Sequence, residues 1–188
     1  VVLPLCGIYL LVEAAYATDL AGLRGDRVLS AMPSAAFLFL MPIWIGSRIF
    51  ASRDSNAVQL RLTPRELRRG RVASFLVGLV MATYHVVEAI ATFDNWAAEA
   101  RSVVVLPLIL AAGFLMLRFA WLFRSSVRIN LQQSSNEGLY YEHFLTLVAR
   151  FYQAAAIGGV ALALIGYTRA AEALVFPAIY TVQVVAFL

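Results

Sequence analysis

Apolar residues run through this chain in long blocks, and arginine gathers in the gaps between them. Six blocks reach or approach the roughly 20 mainly apolar residues that a membrane-spanning helix requires. They are Val1–Ala17, Val28–Phe50, Val72–Phe93, Val103–Phe123, Phe144–Ile165 and Ala170–Leu188. None alternates apolar and polar positions with a period of 2, which argues against a lipid-facing β-barrel. The pattern predicts an all-α, polytopic transmembrane domain of about six spanning helices, with residues 1–188 as a single unit. The first and last blocks are short. The chain opens on "VVLPLCGIYLL" without an initiator methionine or a basic leader, and "VQVVAFL" stops in mid-run. Both ends therefore read as internal to a longer chain.

Composition supports lipid as the solvent. A soluble domain is about half apolar and a quarter charged, whereas this chain is 62% apolar and 14% charged, with a mean hydropathy of +0.79. A water-soluble domain of this size leaves roughly a third of its unfolded surface exposed, and that surface cannot be drawn from so apolar a sequence. The net charge of +4 then points to loops against anionic headgroups and not to nucleic acid. Cys6 is the single cysteine, so neither an internal disulfide nor a cysteine metal cluster can form. It reads as a small buried hydrophobe.

All fifteen basic residues are arginine, and their placement alternates. The second and fourth connections hold Arg48, Arg53, Arg61, Arg65, Arg68, Arg69, Arg71, Arg118, Arg124, Arg128 and Arg150. The first, third and fifth hold Arg24, Arg27, Arg101 and Arg169. By the positive-inside rule the second and fourth connections are cytoplasmic, as are both ends of the chain.

The densest cluster lies in "LTPRELRRGR". Thr63 as N-cap, Pro64 at the first helical position and Glu66 three residues after the cap spell a capping-box helix start. No strong breaker follows, so one helix is expected from Pro64 to about Phe93. Its length of about 45 Å exceeds a hydrocarbon core of about 30 Å. The surplus turns carry Arg65, Arg68, Arg69 and Arg71, whose guanidinium groups suit lipid phosphates. They are expected to anchor the helix among cytoplasmic headgroups.

Among the ionisable residues within the apolar blocks, Glu13, His85 and Glu88 are the candidates for a role, since such residues are costly in lipid. Glu13 lies near the end of its block and can snorkel. His85 and Glu88 are spaced to share a helix face, a pairing that suits a structural hydrogen bond and also a proton or cation relay. Arg118 and Arg150, each beside aromatics, and Trp44 and Trp96 suit interfacial anchoring. Ser74, Gly78 and Ala82 form a small-residue ladder, and Ala155, Gly159 and Ala163 form another beside Gly158. Such faces let helices approach closely. Pro42, Pro107 and Pro177 are expected to kink their helices. No phosphate loop, nucleophile elbow, zinc-protease motif or CxxC pair is present, so neither an enzyme nor a cofactor is expected.

Four segments carry a family likeness. "LRLTPRELRRGRVASFLVGL", the short acidic connection "FDNWAAEAR", "VVLPLILAAGFLMLRFAWLFR" and "AAIGGVALALIGYTRAAEALVFPAIYT" together resemble the membrane region of large bacterial mechanosensitive channels of the MscS superfamily. The resemblance covers nearly the whole chain, in the same helix order. It implies a peripheral tension-sensing paddle in the bacterial inner membrane, in contact with membrane lipids. The paddle would belong to a homo-oligomeric channel that releases ions and small solutes on hypo-osmotic shock. The pore helix and vestibule of that family have no counterpart in these residues, so no gate residue is assigned. Two other readings stand beside it. One is a secondary transporter using His85 and Glu88, and the other is a passive membrane anchor.

Overall fold

The computed structural model describes residues 2–18, 22–50, 63–131 and 139–187, and these form six α-helices. They are α1 (Val2–Ala17), α2 (Leu23–Ile49), α3 (Pro64–Phe93), α4 (Ala98–Leu131), α5 (Leu139–Ile165) and α6 (Thr168–Phe187). There is no strand among the described residues, as the absence of period-2 patterning requires. Arg53, Arg61 and the side chain of Arg128 lie outside the described set.

Four helices are long and apolar enough to cross a membrane: α2, α3, α4 over Ala98–Arg124, and α5 over Thr146–Ile165. The apolar helix α1 is shorter, at Leu3–Ala17. Helix α6 carries Arg169 and Glu172 in its opening turns and is otherwise mainly apolar. Among the described residues, length and composition thus mark four helices as able to span.

The start of α3 follows the sequence signal to the residue. Thr63 is extended (φ −65°, ψ 154°), its hydroxyl accepts from the Glu66 backbone N–H, and the Glu66 carboxylate accepts from the Thr63 backbone N–H at 2.8 Å. Helix α3 then continues for 30 residues to Phe93. Asn95, with φ 48°, makes the turn into α4, and Gly166, with φ 101°, makes the tight turn between α5 and α6. The left-handed backbone at Gly166 explains why glycine is placed there. Pro33, Pro42, Pro107 and Pro177 all lie inside continuous helices. Near Pro177 the Thr181 hydroxyl donates back to the proline carbonyl at 2.8 Å, an i−4 bond of the kind that bends helices.

Packing divides the helices into two sub-bundles. Helix α2 packs along α3, with α1 against α2, while α4 and α6 both pack on α5 and on each other, and the contact of α3 with α4 joins the two groups. Small residues set each approach. A side chain at Gly46 would meet Ser74, and one at Gly78 would meet the carbonyl oxygen of Phe39, so α2 and α3 touch backbone to backbone. Gly158 faces Leu174 and Gly159 faces Val175 across the α5–α6 contact. Both ladders read from the sequence therefore lie at helix contacts, as small residues at membrane helix interfaces do. The core between the sub-bundles is built from Val77, Met81, Val105, Ile109, Met116 and Ile179, all buried.

Cys6 departs from its expected burial. It lies exposed on α1, because α1 packs principally on α2 and leaves most of its circumference, including Leu3, Leu10 and Leu11, facing outward. In an apolar solvent that exposure carries no penalty for a thiol.

Candidate functional site

The turns at either end of the bundle segregate charge. At one end lie the start of α3 with Arg65, Arg68, Arg69 and Arg71, the end of α2 with Arg48, and Arg124 and Arg150 of α4 and α5. At the other lie the junctions α1–α2, α3–α4 and α5–α6, where Arg24 meets Asp94 at 3.1 Å and the Arg27 guanidinium sits over the Phe93 ring at 5.4 Å.

The second end also holds a buried ion triad. Arg101 enters from the first turns of α4. Its Nε and Nη2 donate to Glu88 Oε2 of α3 at 3.0 and 2.7 Å, while Nη1 and Nη2 donate to Glu172 Oε1 and Oε2 of α6 at 2.9 and 2.6 Å. The pairing with Glu172 is the bidentate fork that a planar guanidinium makes best. Tyr84, one turn before Glu88, donates its hydroxyl to Glu172 Oε2 at 3.0 Å. Its ring stacks on Phe176 at 3.8 Å between centroids, with 20° between planes. The Arg101 and Glu172 side chains are 11% and 9% exposed, and Glu88 is 38% exposed. Helix dipoles oppose Arg101 near a helix start and Glu88 near a helix end, so each charge is compensated by its partner across the interface.

The structure redistributes the candidates read from the sequence. Glu88 turns to Arg101 rather than to His85, which is half-buried on the same helix. Glu13 is exposed on α1, one turn from Tyr9. Arg65, Arg68, Arg69 and Arg71 are all exposed, and none makes an ion pair among the described residues. Arg48 stacks over Trp44, with its guanidinium carbon 5.7 Å from the ring centre. Among the described residues no cluster of three or more histidine, cysteine, aspartate or glutamate side chains could hold a metal ion.

Sequence reasoning missed Arg101, Glu172 and Tyr84 as a group, having read Arg101 only as a loop charge. A signal was present. Arg101 stands at the mouth of a long apolar run on the face where arginine is otherwise sparse, a position that calls for a carboxylate partner.

An apolar cavity of about 60 Å³ lies in the seam between the sub-bundles, toward the arginine-rich end. Gly46, Phe50 and Val77 line it from α2 and α3, and Met116, Phe123 and Tyr152 from α4 and α5.

Comparison with models of protein families, with characterised proteins and with solved structures finds no match to this chain.

Proposed function

We propose that this chain is a peripheral, tension-sensing transmembrane domain of a mechanosensitive channel in the bacterial inner membrane, with both of its ends cytoplasmic. The reading rests on the resemblance to the MscS superfamily. The observation that supports it best is α3, a 30-residue helix whose capped start bears four exposed arginines. Those arginines hold one end of the helix at the cytoplasmic headgroups, while its backbone contact with α2 makes the pair a stiff arm. Membrane tension does work equal to tension times area change. An arm that tilts or flattens under tension therefore couples the bilayer to a pore formed outside these residues. The carboxylate of Glu88 is taken up by Arg101, which leaves the transporter reading without its His85–Glu88 pair.

Patch-clamp recording tests the reading. The full-length protein is expressed in spheroplasts that lack their own mechanosensitive channels, and suction is stepped. Pressure-gated currents are expected, with a threshold that moves when Arg65, Arg68, Arg69 and Arg71 are changed to glutamine. Silence up to membrane rupture from well-expressed, inserted protein would overturn it.

A further inference from the structure

The seam between the two sub-bundles is built unequally along its length. At the Arg101 end it is closed by directional bonds. Arg101 engages α3 and α6 at once, with every one of its guanidinium nitrogens on a carboxylate. Helices α3 and α6 have little direct backbone contact, so Arg101 and the Tyr84–Glu172–Phe176 contacts supply the connection between them. At the arginine-rich end the same seam contains the apolar cavity, lined from both sides mainly by apolar side chains, with Phe50 against Phe119 at 6.2 Å between ring centres. Apolar contacts are non-directional and allow sliding or rotation, whereas a bidentate guanidinium fixes distance and angle.

We infer that the Arg101–Glu88–Glu172 triad is a pivot, about which the α2–α3 arm swings against α4–α6 by opening and closing the cavity at the opposite end of the seam. The arrangement is a hinge of the kind in which two packed bodies turn about a fixed contact. Within the tension-sensing reading, on which its physiological meaning rests, displacement of the arginine-bearing start of α3 becomes rotation about Arg101. The rotation is delivered to α6 through Glu172. Arg101 is a positioning residue in this device.

Spin-label distances in the full-length protein test the pivot without requiring channel activity. Cys6→Ser removes the native thiol. One nitroxide pair is placed at Thr92 and Ala173, beside the triad, and another at Val72 and Phe151, across the cavity end; all four positions are exposed. In vesicles, the Thr92–Ala173 distribution is expected to be narrow and the Val72–Phe151 distribution broader. Addition of lysophosphatidylcholine, which thins and stresses the bilayer, is expected to move the second and leave the first in place. Arg101→Gln is expected to widen the Thr92–Ala173 distribution about twofold, with Arg101→Lys falling between. Glu88→Gln, which removes only the more exposed carboxylate, serves if Arg101→Gln does not insert. Equal widths at both ends, or a Thr92–Ala173 width indifferent to these changes, would overturn the pivot. Patch-clamp silence alongside the expected distances would overturn the channel reading and leave the pivot standing.

Discussion

Nη2 of Arg101 lies 2.6 Å from Oε2 of Glu172, and both side chains are withdrawn from solvent. Two buried charges in contact stabilise less than they seem to, because each has lost its hydration. Removing only one is far worse. Arg101→Leu leaves two carboxylates facing each other across a helix interface and is expected to cost about 3–5 kcal/mol. The triple variant Arg101→Leu, Glu88→Leu, Glu172→Leu is expected to recover most of that loss, since no charge remains unpaired. Denaturant-driven unfolding in detergent micelles checks both. A triple variant as unstable as Arg101→Leu would show that the bonds, not the stranded carboxylates, carry the effect.

Helix proximity yields an ordered pair of predictions. A methyl group at Gly78 meets the Phe39 carbonyl oxygen, a backbone atom that cannot step aside. At Gly158 the nearest obstacle is Leu174 Cδ2 at 3.2 Å, the far end of a flexible side chain. Gly78→Ala is therefore expected to destabilise by about 1–3 kcal/mol, the usual range for overpacking, and Gly158→Ala by clearly less. Thermal unfolding of the two variants side by side gives the order, and a reversed order would contradict the packing described for α2 and α3.

Thr63 holds the start of α3 through the reciprocal capping-box bonds with Glu66, and its hydroxyl also donates to the Glu66 carboxylate at 2.8 Å. Thr63→Ala is expected to cost about 1 kcal/mol locally, as loss of an N-cap does. Amide exchange at Glu66 and Leu67 should accelerate several-fold while the middle of α3 stays protected. Uniform acceleration along the helix would mean that the cap supports the whole fold and not only its first turn.

How much of this was legible beforehand depends on the range of the interaction. The α3 boundaries were, because a capping box is local and because the Phe93–Asp94 transition ends an apolar run. The small-residue ladders were as well, since their spacing follows the helix repeat. Glu88 was identified as a suspect but given the wrong partner. His85 shares its helix and could be seen by counting, whereas Arg101 and Glu172 reach it only after α3, α4 and α6 are packed. The misplacement of Cys6 has a different source. Burial rules learned in water assign a thiol to the interior, but in lipid an exposed thiol on α1 carries no penalty.

Charge asymmetry gives the last prediction, the orientation of the bundle. The start of α3 holds Arg65, Arg68, Arg69 and Arg71, exposed and unmatched by carboxylates among the described residues. At the opposite end Arg24 is bonded to Asp94 and Arg101 to two glutamates. Unpaired arginines resist translocation across a membrane that is negative inside, at about 2.3 kcal/mol per charge per 100 mV, and they bind the anionic cytoplasmic leaflet. Paired arginines present little net charge to either field. The α3 start should therefore be cytoplasmic and the α3–α4 turn external. Single cysteines at Arg65 and Asn95, introduced with Cys6→Ser, report this through a membrane-impermeant maleimide. Asn95→Cys is expected to label in intact spheroplasts and Arg65→Cys only after permeabilisation. The reverse pattern would invert the bundle and move the arginines away from the leaflet on which the proposed tension-sensing arm depends.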